Sequence, residues 1–338
     1  MKRIAVGLFV VIVTVVGAVG ARIAVAELKP YKGYAENELF VEIPAGSGPA
    51  SIGRRLVDAG VLRDTMGFRF ELTRTRTSGR LQAGEYRFDR PMTVQEVVAK
   101  IARGDVYLLP ITFREGLTLR EMAQLFESKG FGPAAEFVSA ASDGRLIHHI
   151  DPAARDLEGY LFPDTYTMVR RATAAQLVAR MVAGFEKVLT PELRAAGEAR
   201  GRSVRQLVTL ASLVEKETGS PEERPLVAAV YTNRLRIGIA LQCDPTVIYA
   251  LQRMNRYDGN LTREGLHVDS PYNTYRYPGL PPGPIANPGR ASLEAAAHPA
   301  DAPYLYFVSR GDGTHAYAAN LDEHNRNVYE FQIKPNRK

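Results

Sequence analysis

The sequence has very little cysteine: Cys243 is the single cysteine among 338 residues. A lone cysteine has no partner in the chain, which excludes an internal disulfide. The six histidines and Cys243 show no spacing that is typical of a zinc site or a metal-binding helix. We therefore expect a protein that works without a metal and without a cofactor.

Tryptophan is absent, whereas the chain has 16 tyrosines. Any aromatic ring that stacks on a ligand is therefore expected to come mainly from tyrosine. An acidic excess is also missing, since the formal net charge is +6 and the pI is about 9.3. A modest basic excess suits nucleic acid, lipid headgroups or cell wall, and it equally suits a solvated basic surface with no specific partner.

The N-terminus carries the one long apolar run, from Ile4 to Ala21, preceded by Lys2 and Arg3. Its length suits a membrane-spanning helix. The alternative is a cleaved secretory signal peptide, with the small residues Ala24–Ala26 as the cleavage site. We favour a single-pass inner-membrane anchor with a cytoplasmic N-terminus, because positive residues stay on the cytoplasmic side. The rest of the chain would then be periplasmic, which argues against nucleic acid as the partner.

The pattern of strands and helices predicts an α+β protein with four parts. These are a cytoplasmic tip and transmembrane anchor (1–26), a linker (27–37), a small α+β module (38–110) and a larger α+β domain (111–338). Within them, "VEIPAGSGPASIGRRLVDAG" and "ITFREGLTLREMAQLFESKG" repeat a strand–turn–helix unit. The small module is reminiscent of LysM-like glycan-binding domains.

A candidate acid lies on the predicted helix from Val204 to Glu217, for which Ser203 is the expected N-cap. Helical geometry places Glu215 at the flank of the apolar face, and Glu217 about 200° further around. A carboxyl group pressed against apolar surface has a raised pKa, which suits a general acid for glycosidic cleavage. The alternative is an ordinary helix-end glutamate paired with Lys216 or Arg224.

Two polar segments supply candidates for holding a substrate. The first, "NRLRIGIALQCDPTVIYAL", is interpreted as a loop, and the second is the proline-rich "SPYNTYRYPGLPPGPIANPG". Short polar groups there could bind sugar hydroxyls or simply form turns and caps, and the second segment could be a surface loop. The candidates for substrate binding are Asn233, Gln242, Asp244, Tyr249, Tyr272, Asn273 and Tyr275.

Several motifs together resemble the YceG-like (MltG) family of endolytic murein transglycosylases. They are "EGYLFPDTY", "ASLVEKET", "NRL…G…LQCDPTVIYAL", "YNTYRYPGLPPGPIANPG", "SLEAAAHPA" and "YLYFV". The resemblance implies a single-pass inner-membrane lyase with a LysM-like segment. Such an enzyme would cut nascent peptidoglycan strands internally, leave 1,6-anhydroMurNAc ends and so terminate elongation. The resemblance also implies cell-wall synthases as partners.

The resemblance also assigns roles to the two glutamates of the "VEKET" motif. It implies that Glu215 is the catalytic acid, and Glu217 is expected to be an orienting group. Two alternatives stay open: a muramidase that uses water, and a non-catalytic scaffold that only binds peptidoglycan.

Overall fold

A computed structural model describes residues 29–335. The predicted cytoplasmic tip and transmembrane anchor (1–26) lie outside the described residues. Within 29–335 no helix has the length and apolar character that a membrane span requires. Helices alternate with three two-stranded sheets, so the predicted α+β class is confirmed. The chain divides into two compact units.

The described part of unit 1 comprises residues 29–109 together with Thr167–Arg171. Apart from parts of two further strands, its elements are β1 (Leu39–Ile43), α1 (Pro49–Asp58), α2 (Thr65–Thr75), β2 (Gly84–Phe88) and α3 (Val94–Ala102). Strands β1 and β2 pair antiparallel, with Leu39 opposite Phe88. The buried face of this sheet packs with the helices around side chains such as Phe68 and Tyr86, which are fully buried.

Part of the predicted linker is hydrogen-bonded to unit 1. Tyr31 exchanges two backbone hydrogen bonds with Met92, and the Gly33 amide donates to the Gly60 carbonyl over 2.8 Å. Residues 31–33 are therefore fixed to the rest of unit 1 by backbone hydrogen bonds.

Unit 1 is discontinuous in sequence. Strands β3 (Leu108–Thr112) and β4 (Thr165–Val169) pair with each other, and the chain passes from one unit to the other within each strand. After β4, the Arg170 guanidinium donates two hydrogen bonds, of 2.5 and 3.1 Å, to the largely buried Glu85 carboxylate. Arg170 also lies 4.3 Å from the Phe40 ring centroid. The returning segment therefore completes unit 1 both electrostatically and by packing.

Unit 2 comprises Pro110–Tyr166 and the described chain from Ala172 onward. Apart from its shares of β3 and β4, its helices and strands are α4 (Leu119–Ser128), α5 (Ala134–Ala141), α6 (Ala174–Val188), α7 (Pro191–Glu198), α8 (Val204–Glu217), α9 (Arg224–Ile237), α10 (Asp244–Arg253), α11 (Arg290–Ala297), β5 (Tyr306–Ser309), β6 (His315–Ala318) and α12 (Leu321–Val328). Short 3₁₀ turns lie at Gly144–Ile147 and Gly265–His267, and a π turn follows α12 at Tyr329–Ile333.

Helix α8 lies at the centre of unit 2. Its bounds and its N-cap agree with the sequence prediction, and the Ser203 hydroxyl and the Gln206 side chain form a capping box. Every residue from Leu207 to Val214 is buried, because α7, α9, α10 and α11 all pack against the helix. Beyond Val214 the helix becomes accessible again in its last turn, which carries Glu215 and Glu217.

The proline-rich segment is a loop, as predicted, and Asn287 holds it in place. The Asn287 side-chain oxygen accepts hydrogen bonds from the Gly159 and Leu161 amides, each 2.9 Å long. Its amide nitrogen donates to the Leu117 carbonyl and to a Glu158 carboxylate oxygen, each over 3.0 Å. One buried side chain therefore joins three distant segments of unit 2.

Gly159 allows the loop to approach this closely. Its φ is +86°, and a Cβ atom there would lie 2.4 Å from Cγ of Pro284. Only glycine combines the left-handed backbone with that contact.

Candidate active site

The last turn of α8 directs two carboxylates into different surroundings. Glu217 lies in a cavity of about 320 Å³, and Glu215 lines a separate one of about 300 Å³. Because successive helical residues are rotated by about 100°, two glutamates two residues apart face different neighbours. Both cavities are formed within unit 2.

Glu217 is hydrogen-bonded by uncharged groups, and Arg234 and His315 line the same cavity. The Tyr231 hydroxyl of α9 donates to a Glu217 carboxylate oxygen over 2.5 Å. The buried Cys243 thiol is a second hydrogen-bonding neighbour. Burial raises the pKa of Glu217, the nearby Asp244 carboxylate raises it further, and the hydrogen bonds from Tyr231 and Cys243 oppose the shift. The site therefore favours a Glu217 that keeps its proton to higher pH than an ordinary glutamate.

Three of the predicted substrate-binding residues line the cavity of Glu217. Gln242 and Asp244 are exposed there, and the Tyr275 hydroxyl donates to Asp244 over 2.5 Å. The Gln242 backbone is left-handed, with φ at +51°, and its amide donates to the Thr274 carbonyl. The chain thus turns sharply just before α10 and presents both side chains to the cavity.

The interpretation of this segment as a loop was wrong in part. Asp244 is the first residue of helix α10, and Pro245 occupies the first turn, where its missing amide costs nothing. The helix gives Asp244 a fixed position at its N-terminus instead of a place on a flexible turn.

A histidine that no sequence motif singles out lies at the same cavity. His315 of β6 lines it, and both its backbone amide and its Nδ1 bond to the Glu223 carboxylate at 2.7 Å. Glu223 also accepts a hydrogen bond of 3.1 Å from Thr218, the residue after Glu217. His315 and Glu223 are 92 residues apart, so no local pattern could have linked them.

Glu215 has a different electrostatic environment. The Gly289 amide, at the N-cap of α11, donates to one Glu215 oxygen over 2.9 Å, and the Arg224 guanidinium lies 3.5 Å from the other. The Glu215 and Arg224 side chains are only 6% and 8% exposed. A helix N-terminus and an arginine both stabilise a negative charge. The sequence alternative in which Arg224 pairs with this glutamate is thus the geometry observed.

A second carboxylate, Glu115, lies in the same cluster. Arg224 is 3.8 Å from a Glu115 oxygen, and it also donates to the Ser292 hydroxyl. Partial burial raises the pKa of Glu115, the neighbouring Glu215 raises it further, and Arg224 opposes the shift. The buried Arg224 guanidinium therefore lies within 4 Å of both the Glu215 and the Glu115 carboxylates.

The remaining predicted residues make internal contacts away from the Glu217 cavity. The Asn233 amide donates to the Ala302 and Tyr304 carbonyls. Asn273 is fully buried, and its amide donates to the Leu266 and Val268 carbonyls. These two asparagines stabilise loops.

Tyr249 and Tyr272 belong to a separate cluster. Their rings lie 5.0 Å apart, and the Tyr249 hydroxyl donates to Glu158 over 3.1 Å. Burial raises the pKa of Glu158 to about 8. Glu158 accepts further hydrogen bonds from the Leu119 amide and from Asn287, so it is a buried carboxyl group enclosed by protein.

The sequence matches a known family over most of its length. A family model described as the YceG-like family matches residues 41–330. The chain belongs to this family.

Named relatives and a solved structure are consistent with the match. An endolytic murein transglycosylase of Bacillus subtilis (strain 168) is 30% identical over 92% of this chain and 89% of its own length. A protein of the same name from Streptococcus pneumoniae serotype 2 is 30% identical over 95% of this chain, which spans 63% of that relative. A YceG-like protein of Listeria monocytogenes, solved at 2.6 Å, superposes with a TM-score of 0.59 at 31% identity, over 86% of this chain and 99% of the other.

Proposed function

We propose that this protein is a lyase that cleaves peptidoglycan strands internally by lytic transglycosylation, with Glu217 as the proton donor. The names of the relatives support the reaction. The observation that carries the assignment of the acid is the environment of Glu217: a carboxyl group with a raised pKa in a cavity that also holds Gln242, Asp244 and Tyr275.

This proposal exchanges the roles that the sequence suggested for the two glutamates. A general acid must hold its proton near neutral pH until the leaving oxygen takes it. Glu217 meets this need, because burial raises its pKa even though Tyr231, Cys243 and His315 oppose the shift. Glu215 is paired with Arg224 and bonded to the α11 N-terminus, so both of its carboxylate oxygens are engaged by protein groups. We assign Glu215 to holding α8 and α11 together.

The proposed reaction needs one carboxyl group. Glu217 gives its proton to the oxygen between C1 of N-acetylmuramic acid and C4 of N-acetylglucosamine while the C1–oxygen bond breaks. The C6 hydroxyl oxygen of the same muramic acid bonds to C1, and its proton returns to Glu217. The products are a new C4 hydroxyl and a 1,6-anhydro end, with no water consumed. Intramolecular attack requires only that the cavity hold the sugar in a suitable shape.

The side chains around Glu217 suit this substrate. Gln242, Asp244 and Tyr275 offer hydrogen bonds to sugar hydroxyls and N-acetyl groups, and Tyr275 adds an aromatic face in a chain without tryptophan. We assign these three to glycan binding. Asn233, Tyr249, Tyr272 and Asn273 support the loops and helices that shape the site.

Incubation of the purified protein with polymeric glycan tests the proposal, with mass spectrometry of the new ends. Wild-type protein is expected to yield internal cuts with 1,6-anhydro ends, and Glu217→Gln is expected to bind glycan without cutting it. Ends heavier by one water would identify a muramidase. Intact strands after incubation with wild-type protein would favour a non-catalytic scaffold.

We also propose a location for the enzyme. The apolar run of residues 4–21 would anchor it in the inner membrane, with both units periplasmic and near nascent glycan and its synthases. Unit 1 would bind glycan as a LysM-like module. Membrane fractionation of the full chain beside a chain that begins at residue 29 tests the anchor, and glycan pull-down with unit 1 variants tests the module.

A further inference from the structure

The His315 side chain is held by an ionised partner. Glu223 accepts hydrogen bonds from the His315 amide, from His315 Nδ1 and from the Thr218 hydroxyl. Burial acts to raise the pKa of Glu223, but the hydrogen bonds from His315 outweigh it and hold the pKa below its usual range. An ionised carboxylate only accepts hydrogen bonds, so Nδ1 of His315 carries a proton.

With Nδ1 bound to Glu223, Nε2 is the ring nitrogen left for a ligand. Nε2 accepts a hydrogen bond when the imidazole is neutral and donates one when the ring is protonated. The His315 ring also packs edge-on against Phe307, with centroids 5.3 Å apart. Glu223 and Phe307 therefore fix the orientation of the ring.

The ring faces the cavity of Glu217. His315 and Phe307 both line that cavity, whereas Glu223, which binds Nδ1, is not part of the lining. The side of the ring that carries Nε2 is therefore the side left for a ligand. Sugar hydroxyls, which the proposed substrate carries in number, can either donate to Nε2 or accept from it.

We propose that His315 is a substrate-contacting residue whose Nε2 hydrogen-bonds to a sugar hydroxyl of the glycan strand bound at Glu217. This inference rests on the proposed function. In it, Glu223 is the positioning residue, and the Thr218 contact ties the same carboxylate to the end of α8. Hydrogen bonds through Glu223 would thus link His315 to Thr218, the residue that follows Glu217.

Two substitutions at position 315 separate binding from structure. The nitrogen of an asparagine side chain can take the place of Nδ1, so His315→Asn keeps the bond to Glu223 and loses the group in the cavity. The end of a glutamine side chain reaches the place of Nε2, so His315→Gln does the reverse. Both are made in the Glu217→Gln background, and the dissociation constant for peptide-free glycan strands is measured beside the melting temperature.

We expect His315→Asn to weaken binding about tenfold and His315→Gln to weaken it by about threefold or less, as the loss and retention of one hydrogen bond imply. His149→Asn, which alters an exposed histidine–glutamate pair, is the matched control and should bind like the parent. The opposite order, or equal affinities for the two variants, would overturn the role of His315. A Glu217→Gln parent that binds no glycan would overturn the proposed function as well.

Discussion

Glu215 and Glu217 lie on one helical turn, yet their surroundings differ in every respect that matters for proton transfer. Glu215 contacts an arginine and a helix N-terminus. Glu217 contacts a tyrosine hydroxyl and a cysteine thiol near another carboxylate. The same side chain therefore contacts a cation in one place and lies in a cavity that raises its pKa in the other. Neighbours distant in sequence create this difference.

The largest expected difference is in turnover. Glu217→Gln should lower the turnover number by about 10²- to 10⁴-fold, the usual contribution of a general acid. Glu215→Gln should lower it by about tenfold or less, because Gln keeps one oxygen for the Gly289 amide. Release of 1,6-anhydro ends over time measures both. Loss of turnover in Glu215→Gln alone, with its fold intact, would restore the assignment that the sequence suggested.

The buried arginine of the Glu215 cluster gives the next effect, on stability. Arg224→Met should destabilise the protein by about 3–5 kcal/mol, since it leaves the buried Glu215 carboxylate without its partner. Glu215→Gln combined with Arg224→Met should recover part of this loss. Urea denaturation of the single and double variants measures the coupling. Purely additive losses would show that the two side chains do not act as a pair.

Glu158 is another buried glutamate with a raised pKa, so its substitution tests whether burial alone is enough to make a catalytic acid. Its pKa of about 8 in the folded protein, against an ordinary 4.5, means that the folded state holds its proton more tightly. The stability that Glu158 contributes is therefore complete below pH 4.5 and is lost as the pH rises towards 8. Glu158→Gln should remove a slope of about 1.4 kcal/mol per pH unit in this window.

Activity supplies the control for that variant. Glu158 is enclosed by Leu119, Tyr249 and Asn287, away from the Glu217 cavity, so Glu158→Gln should leave turnover nearly unchanged. Unfolding free energies between pH 5 and pH 8, with turnover at pH 7, measure both effects. A large loss of turnover in a well-folded variant would mean that a second buried acid takes part.

The smallest effect is a shift in pH dependence. The Tyr231 hydroxyl opposes the raised pKa of Glu217, so Tyr231→Phe should raise that pKa further. The alkaline limb of the pH–rate profile should then move up by about one pH unit, because the acid stays protonated longer. Tyr317→Phe, which removes a buried hydroxyl without a hydrogen-bond partner, should not move it. If the alkaline limb moves to lower pH or does not move, Tyr231 does not lower the pKa of the acid that limits the rate.

Local elements of this fold could be predicted from the sequence where one segment contains the whole signal. Helix α8 and its Ser203 cap follow from apolar periodicity and capping chemistry, and β1 follows from alternation. The start of α10 was also readable, since proline after Asp244 suits a first helical turn. Because proline is equally common in turns, the same residues also predict a loop.

The site itself depends on contacts that no segment contains. Asn273 and Gln242 both have an amide side chain and both lie in turn-rich sequence. Asn273 is buried and donates hydrogen bonds to two backbone carbonyls, whereas Gln242 is exposed at the cavity. Buried backbone groups need partners, and any nearby polar side chain can supply them. Sequence patterns therefore nominate polar residues without separating those that bind a ligand from those that support a loop.

The discontinuity of unit 1 has a consequence for synthesis of the chain. Glu85 acquires its arginine only from Arg170, so the ribosome must release the intervening residues before unit 1 can close. A fragment that stops at residue 109 would leave a largely buried carboxylate uncompensated, and one that starts at residue 110 would carry the orphaned arginine. Genetic separation of the two units is thus disfavoured.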